Sequence, residues 1–219
     1  MDQGFAIVPD VMEHRELADL AADLSARALS RSRAGIRHAM SIPSVAAIAQ
    51  HGKLRALAQS ILGPSTVPYR ATLFSKTRDA NWLVVWHQDR ALPLEERDDR
   101  PGWGPWSVKE GVLYAHAPEW ALFQVIALRL HLDDSTAENG PLRVIPKTHK
   151  QGVLTDDAIH ELATNTPPIT CIVPRGGVLA MRPLLVHGSS KSHGEEPRRV
   201  LSIEYATGPC LSDVKLAVA

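Results

Sequence analysis

The sequence predicts a mainly β protein, an antiparallel double sheet or barrel with helices packed on its outside. Seven segments, 67–75, 81–89, 121–132, 141–146, 169–173, 177–187 and 198–206, are rich in apolar, β-branched or aromatic residues and are bounded by Pro, Gly, Asp or Ser. These strands do not alternate regularly with helices, which disfavours a parallel βαβ sheet. Helical periodicity is confined to the N-terminal part, about 10–62, ahead of a β core at about 67–206. At 219 residues the chain reads as one domain, 1–219, long enough to bury a sizeable core.

Asp10-Val-Met-Glu13 carries the N-cap and N3 residues of a capping box. Leu17, Leu20 and Leu24 recur at spacings of three and four, so an amphipathic helix is expected over 11–28. A second is expected over 45–62, with Leu54, Leu57 and Ile61 on one face and Gly63-Pro64 as its stop. Within the β region, 95–120 is long for a connection and contains Pro101-Gly-Trp-Gly-Pro-Trp106. It is the expected mobile loop or lid. Its Trp103, Trp106 and Tyr114 would either cover an apolar or aromatic molecule or pack the loop onto its own domain.

Lys plus Arg and Asp plus Glu number 24 each, so the formal net charge is zero. That balance gives no electrostatic reason to expect nucleic acid or an anionic membrane as partner. It also removes one barrier to self-association, which favours a homo-oligomer. No apolar run approaches the ~18 residues that span a bilayer, and the first residues lack the basic and apolar pattern of a signal peptide. A cytoplasmic protein is expected. Cys171 and Cys210 make no disulfide framework and read as ordinary reduced thiols. With no Gly-x-Ser-x-Gly elbow and no reactive cysteine context, acyl or nucleophilic catalysis has little support.

The chemistry concentrates in three polar residues. The run Trp82-Leu-Val-Val-Trp-His-Gln-Asp89 reads as a strand, on which alternation puts His87 and Asp89 on one face. His187 closes a second apolar run, Val178-Leu-Ala-Met-Arg-Pro-Leu-Leu-Val-His187, which could pass beside the first. Two imidazoles and one carboxylate on one side of a metal form the facial triad of non-heme Fe(II), with open positions for chemistry. Arg198, eleven positions after His187, opens the last strand, where its planar fork suits a distal carboxylate.

The order His-x-Asp, distal His, then Arg resembles the Fe(II)/2-oxoglutarate dioxygenases of the phytanoyl-CoA hydroxylase type. Glu138-Asn-Gly-Pro-Leu-Arg-Val-Ile-Pro-Lys-Thr-His149 is similar to that family's segment between the two ligand-bearing regions, with Lys147 in place of a glycine and Thr148 in place of a serine. Pro197 before Arg198 and Gly4-Phe-Ala-Ile-Val-Pro9 match as well, so the resemblance covers nearly the whole chain. It implies a double-stranded β-helix, a jelly roll of cupin-like form. It implies His87, Asp89 and His187 as the catalytic iron ligands and Arg198 as the partner of the 2-oxoglutarate C5 carboxylate. The implied cofactors are Fe(II), 2-oxoglutarate and O2, with ascorbate as a candidate stimulant. The implied reaction is hydroxylation of a small organic molecule with release of succinate and CO2. Related halogenases carry a small residue in place of Asp89, so its carboxylate argues for oxygenation. The alternatives are a cupin-like metalloenzyme that does not use 2-oxoglutarate and a non-catalytic jelly-roll binding module.

Adjacent strand residues face opposite ways, so only one of Arg198 and Arg199 can serve the cosubstrate; the family's spacing selects Arg198. Arg129 and His131 share a face opposite Leu128, Leu130 and Leu132. That face either lines the pocket or is solvated while the leucines form core. Lys76 and Asn81 flank the turn before the ligand strand and are candidates to reach cofactor or substrate. Gln88 is expected to point away from the iron, Trp82 and Trp86 to pack in the core or on the sheet, and His149 to sit in a surface turn.

Overall fold

In the computed structural model, which describes residues 1–26, 35–77, 80–97, 100–194 and 196–219, strand β1 (Phe5–Val8) precedes helix α1 (His14–Ala26). The short β2 (Gly35–Ile36) leads to α2 (Pro43–Ala49) and α3 (Gly52–Leu62). Next come β3 (Val67–Lys76), β4 (Val84–His87), β5 (Ala91–Leu94), β6 (Trp106–Lys109) and β7 (Val112–His116). A single turn, α4 (Glu119–Leu122), precedes β8 (Val125–His131) and β9 (Leu142–Val144). Helix α5 (Asp156–Asn165), β10 (Ile169–Thr170), β11 (Val178–Met181), β12 (His187–Ser189) and β13 (Arg198–Ala206) follow, then a hairpin of β14 (Cys210–Leu211) and β15 (Val214–Lys215).

The large sheet runs β1-β11-β8-β13-β3-β2 and the small one β10-β9-β12-β4, with every pairing among the described residues antiparallel. This is the double-sheet architecture expected from the strand count. The pleat gives the large sheet two unlike faces. On β8, Ile126, Leu128 and Leu130 join Leu201, Ile203 and Tyr205 of β13 in a core closed by Leu17, Leu20, Val45 and Leu54 of the helices. The alternate residues, Arg129, His131, Arg198, Ser202 and Glu204, turn inward and line a cavity toward the small sheet. Tyr205 adds a polar tie to the helical layer, donating its hydroxyl to the Ala49 carbonyl at the end of α2 (2.8 Å).

Several boundaries differ from expectation, each for a local reason. Helix α1 starts at His14 because the backbone N–H groups of Val11 and Met12 donate to the Gly176 carbonyl (3.0 Å each). Asp10 sits at φ 53° instead of capping the helix. Glu13 takes over, its N–H donating to the Glu16 carboxylate (3.0 Å), the reciprocal half of a capping box three residues later. The expected end at 27–28 lies outside the described residues. The single helix expected over 45–62 is two, and the His51 ring accepts from the Lys53 N–H (3.3 Å) to start α3. The run 121–132 opens as helix α4, and the run 177–187 divides around Arg182-Pro183 into β11 of the large sheet and β12 of the small one.

The stretch 95–120 is not an open loop but most of a third sheet, β5-β7-β6. Trp103 is buried in a cluster with Leu92, Leu122 and Leu211 and meets the Trp120 ring edge-on at 6.2 Å. Helix α5 was not expected. Its signals were Thr155, which accepts from the Ala158 N–H (3.2 Å), and two acids in the first turn. Its Ile159 packs with Ile145, Val186 and Trp86. Both cysteines are free, and burial pushes the Cys171 thiol up to about 12. Among the described residues no helix is long and apolar enough to cross a membrane.

Leu130 is fully buried between sheet and helices, so Leu130→Ala should cost about 2–5 kcal/mol of stability. Chemical denaturation followed by circular dichroism would show a lower midpoint with little change in slope; a shift under about 0.5 kcal/mol would mean that this layer is not the core.

Candidate metal centre

The small sheet brings the two histidines together. His187 pairs directly across from His87 in the β12–β4 ladder, with ring centroids 4.2 Å apart. Asp89 lies just past the end of β4, held by its N–H on the Pro183 carbonyl (2.9 Å). Its two carboxylate oxygens stand 3.5 Å from the Nε2 atoms of His87 and His187. One donor atom from each of the three lies within 4.8 Å of the others.

Both imidazoles are oriented by the same device. Nδ1 of His87 is 2.8 Å from the Val85 carbonyl, and Nδ1 of His187 is 2.8 Å from the Leu185 carbonyl. A carbonyl only accepts, so Nδ1 carries the proton and the Nε2 lone pair faces the shared point. Burial pushes His187 down to about 3, which keeps it neutral. At Asp89 partial burial opposes the charge, but the two imidazoles and Arg129 outweigh it and hold the carboxyl well below its usual range. His87 moves the other way: burial lowers it, and the hydrogen bond to Asp89 more than restores it. A metal competes there with a proton.

Arg129 reaches the centre from β8, with Nη2 3.3 Å from Asp89 Oδ2 and 3.5 Å from His187 Nε2. With His131 it belongs to the cavity face, which resolves the two readings of that strand in favour of the pocket. His131 is pushed down to about 3 by burial and by Arg198, and its Nδ1 donates to the Arg129 carbonyl (3.0 Å).

Arg198 lines the same cavity, which holds about 200 Å³. It is 7% exposed, and its Nε donates to the Asn139 carbonyl (3.2 Å). Among the described residues its two Nη groups meet no carboxylate. Burial and Arg129 lower it to about 10, still a cation at neutral pH. Arg199 faces the other way and is held on Asp133 at 2.7 and 2.8 Å. Lys76, the strand partner of Arg198, is buried and donates to Ser189 Oγ (2.7 Å) and the Ser190 carbonyl (2.5 Å). Burial and Arg198 push it down to about 8. The Asn139-Gly140 turn closes this end. Gly140 has φ 70°, and a Cβ there would stand 2.7 Å from the Ser190 carbonyl and 3.2 Å from Lys76 Nζ. Lys147, where the resembling family carries glycine, likewise adopts φ 67°.

Other expected residues fall elsewhere. Asn81 does not line the cavity; its amide exchanges two hydrogen bonds with the Ser192 backbone (2.8 and 2.7 Å). Trp82 was expected to share a strand face with Trp86 and to pack in the core or on the sheet, but it precedes β4, so the alternation does not reach it and it lines the cavity. Trp86 packs on Ile145 and Val186, with the Arg143 guanidinium 5.1 Å from its ring. Gln88 points away from the triad and donates to the Gly152 and Leu184 carbonyls (2.9 and 2.8 Å). His149 is not at the surface. It is 5% exposed against Gly4, where a Cβ would meet its Nδ1 at 2.4 Å.

The cavity also has lining residues that the sequence reading did not single out: Arg37, Arg70, Lys109 and Glu204. Arg70 and Glu204 pair across β3 and β13, with Nη2 2.5 Å from both carboxylate oxygens. Alternation from Lys76 and from Arg198 puts both on the site face, so the pattern was present in the sequence.

Residues 1–200 match the phytanoyl-CoA dioxygenase (PhyH) family. The structure of AviO1 from Streptomyces viridochromogenes Tue57 aligns with a TM-score of 0.69 at 23% identity, covering 94% of this chain and 90% of that one. HygX from Streptomyces hygroscopicus, solved with nickel and 2-oxoglutarate bound, aligns with a TM-score of 0.65 at 18% identity, covering 94% and 83%. At these identities what is shared is the fold, the double-stranded β-helix expected from the sequence. L-proline trans-4-hydroxylase of Streptomyces griseoviridis is 25% identical to this chain, over 68% of it and 58% of the relative's own length. The chain therefore belongs to the phytanoyl-CoA dioxygenase family of Fe(II)/2-oxoglutarate oxygenases, with the His-x-Asp and distal His set at His87, Asp89 and His187.

Proposed function

We propose that this protein is a non-heme Fe(II)- and 2-oxoglutarate-dependent dioxygenase that hydroxylates a small organic molecule and releases succinate and CO2. One observation carries the reading: three converging donors share a cavity with a buried guanidinium fork that has no carboxylate of its own among the described residues. His87 and His187 would hold the metal through Nε2 and Asp89 through its carboxylate, a donor set that suits a divalent ion with open positions. Arg198 would take the distal carboxylate of 2-oxoglutarate on its two Nη groups. When bound together, Fe(II) and 2-oxoglutarate activate O2, one atom entering succinate and the other the substrate.

The chain's own residues supply geometry and charge. The Asn139 carbonyl fixes the rotation of the Arg198 guanidinium, and Lys76 adds positive potential beside it. Arg129 balances the Asp89 carboxylate. His187 and Arg198 are under one-tenth exposed, whereas the side chains of His87 and Asp89 are about one-third exposed. Substrate therefore approaches on the His87–Asp89 side, and the cosubstrate occupies the closed end. The relative named L-proline trans-4-hydroxylase supports hydroxylation as the reaction, and the nickel- and 2-oxoglutarate-bound HygX structure supports this fold as a holder of both ligands.

Asp89→Ala or His187→Ala should abolish stoichiometric metal binding and the conversion of 2-oxoglutarate to succinate, assayed with Fe(II), ascorbate and a metabolite panel. Turnover retained in either variant sinks the ligand assignment. Arg198→Ala should leave metal binding intact and raise the 2-oxoglutarate KM about thirtyfold or more, since truncating one side of a buried charge pair costs about 2–5 kcal/mol. An unchanged KM moves that role to another cation.

A further inference from the structure

The cavity carries more positive charge than a metal and one cosubstrate account for. Six cations face it, Arg37, Arg70, Lys76, Lys109, Arg129 and Arg198, against the carboxylates of Asp89 and Glu204. Strand β13 sets the order along the floor. Its inward residues from Arg198 to Glu204 span about 20 Å at ~3.3 Å per residue. Arg198, opposite Lys76, marks one end. Ser202 lies opposite Arg129, which reaches Asp89 and His187, so the triad stands over the middle. Glu204, opposite Arg70, marks the other end.

At that far end the negative charge is already used. Glu204 accepts from Arg70 and from the Tyr69 hydroxyl (2.9 Å), and Glu110 accepts from Arg37 (3.1 Å). Lys109 is left over. Among the described residues its Nζ meets no carboxylate or carbonyl; it rests 4.8 Å from the centre of the Tyr114 ring. Burial, Arg70 and Arg37 lower its pKa and outweigh the opposing pull of the Asp89 carboxylate, so positive potential prevails around it. Lys109 also borders a second recess that shares Arg70, His87 and Asp89. It therefore stands where the cavity opens beside the proposed metal ligands. A five-carbon diacid anchored at Arg198 and reaching the triad is used up before this end.

We propose that Lys109, with Arg37 and Arg70, holds an anionic oxygen group of the substrate, a carboxylate or a phosphate, and so orients the carbon to be oxidised toward the triad. This rests on the reading of the site as an Fe(II)/2-oxoglutarate centre. Such a substrate and the cosubstrate would approach the metal from opposite ends, each anchored by its own cations. A neutral substrate of the same shape would leave the ammonium without its counter-ion.

The test uses Zn(II)-loaded protein saturated with 2-oxoglutarate and titrated at constant ionic strength with acetate, inorganic phosphate or acetamide, followed by protein NMR. One of the two anions should bind at a single site that shifts the Tyr114 ring signals, beside Lys109 and Arg70, while acetamide should not, and the preferred anion tells carboxylate from phosphate. Lys109→Met keeps the aliphatic stem over Tyr114 and should weaken that anion at least tenfold while changing 2-oxoglutarate affinity less than twofold; Lys109→Arg should restore most of the loss. Equal anion affinity in wild type and Lys109→Met overturns the proposal. So does acetamide binding as well as acetate, or a parallel loss of 2-oxoglutarate, which would make Lys109 part of the cosubstrate site. Wild-type protein that takes no 2-oxoglutarate overturns the cosubstrate reading and this proposal with it, whereas 2-oxoglutarate binding with no second anion overturns this proposal alone.

Discussion

The large sheet is buried on both faces, and its pleat sorts the residues of each strand into two environments. On β8 the even positions Ile126, Leu128 and Leu130 enter the helix-side core, while Arg129 and His131 enter the cavity. Strand β13 divides the same way, with Leu201, Ile203 and Tyr205 against the helices and Arg198, Ser202 and Glu204 on the cavity floor. A one-residue slip between these strands would drive arginines into a leucine layer, where an unpaired charge is too costly to keep. The apolar face therefore holds the register, and the register sets where each cation stands along the cavity. Stability and site geometry are two readings of one ladder.

The small sheet makes the complementary contribution. Because His187 and His87 occupy one rung of its ladder, the spacing of the imidazoles is a property of the backbone. Each ring is further locked by a carbonyl two residues back along the chain. Asp89 is tied to the Pro183 carbonyl, within the connection that carries the chain from β11 to β12. The turn that moves the chain from the large sheet to the small one thus also positions the third member of the triad. Gln88, between the two residues, turns its amide outward to Gly152 and Leu184 and pins the strand end from behind.

Charge gives the cavity a direction. Neutral His131 and His187, both pushed down by burial, leave Arg198 and Lys76 as the cations of the closed end. The hairpin of β6 and β7 brings Lys109 and Tyr114 to the open end and is fastened there by Arg37 on Glu110 and by His38 against the Tyr114 hydroxyl (3.0 Å). A chain with zero formal net charge thereby concentrates positive potential in one place, which its overall composition does not reveal.

The local patterns of the sequence determine a good deal on their own. Period-two alternation puts His87 with Asp89 and Arg129 with His131, the Gly63-Pro64 stop ends α3 where expected, and 198–206 is a strand to the residue. The His-x-Asp, His and Arg order is enough to point to the family. Alternation also contained Arg70 and Glu204, had it been carried along β3 and β13. Only the tertiary structure decides the rest. Whether Arg129 and His131 meet water or a cavity depends on a second sheet more than ten residues away in sequence. That Trp82 leaves the face of Trp86, that His149 is buried under Gly4, and that 106–116 folds as a hairpin over the site mouth are likewise settled by contacts between distant segments. Strand pitch and caps are set by neighbours along the chain, whereas burial and electrostatic potential are set by neighbours in space, and those exist only once the sheets have closed on each other.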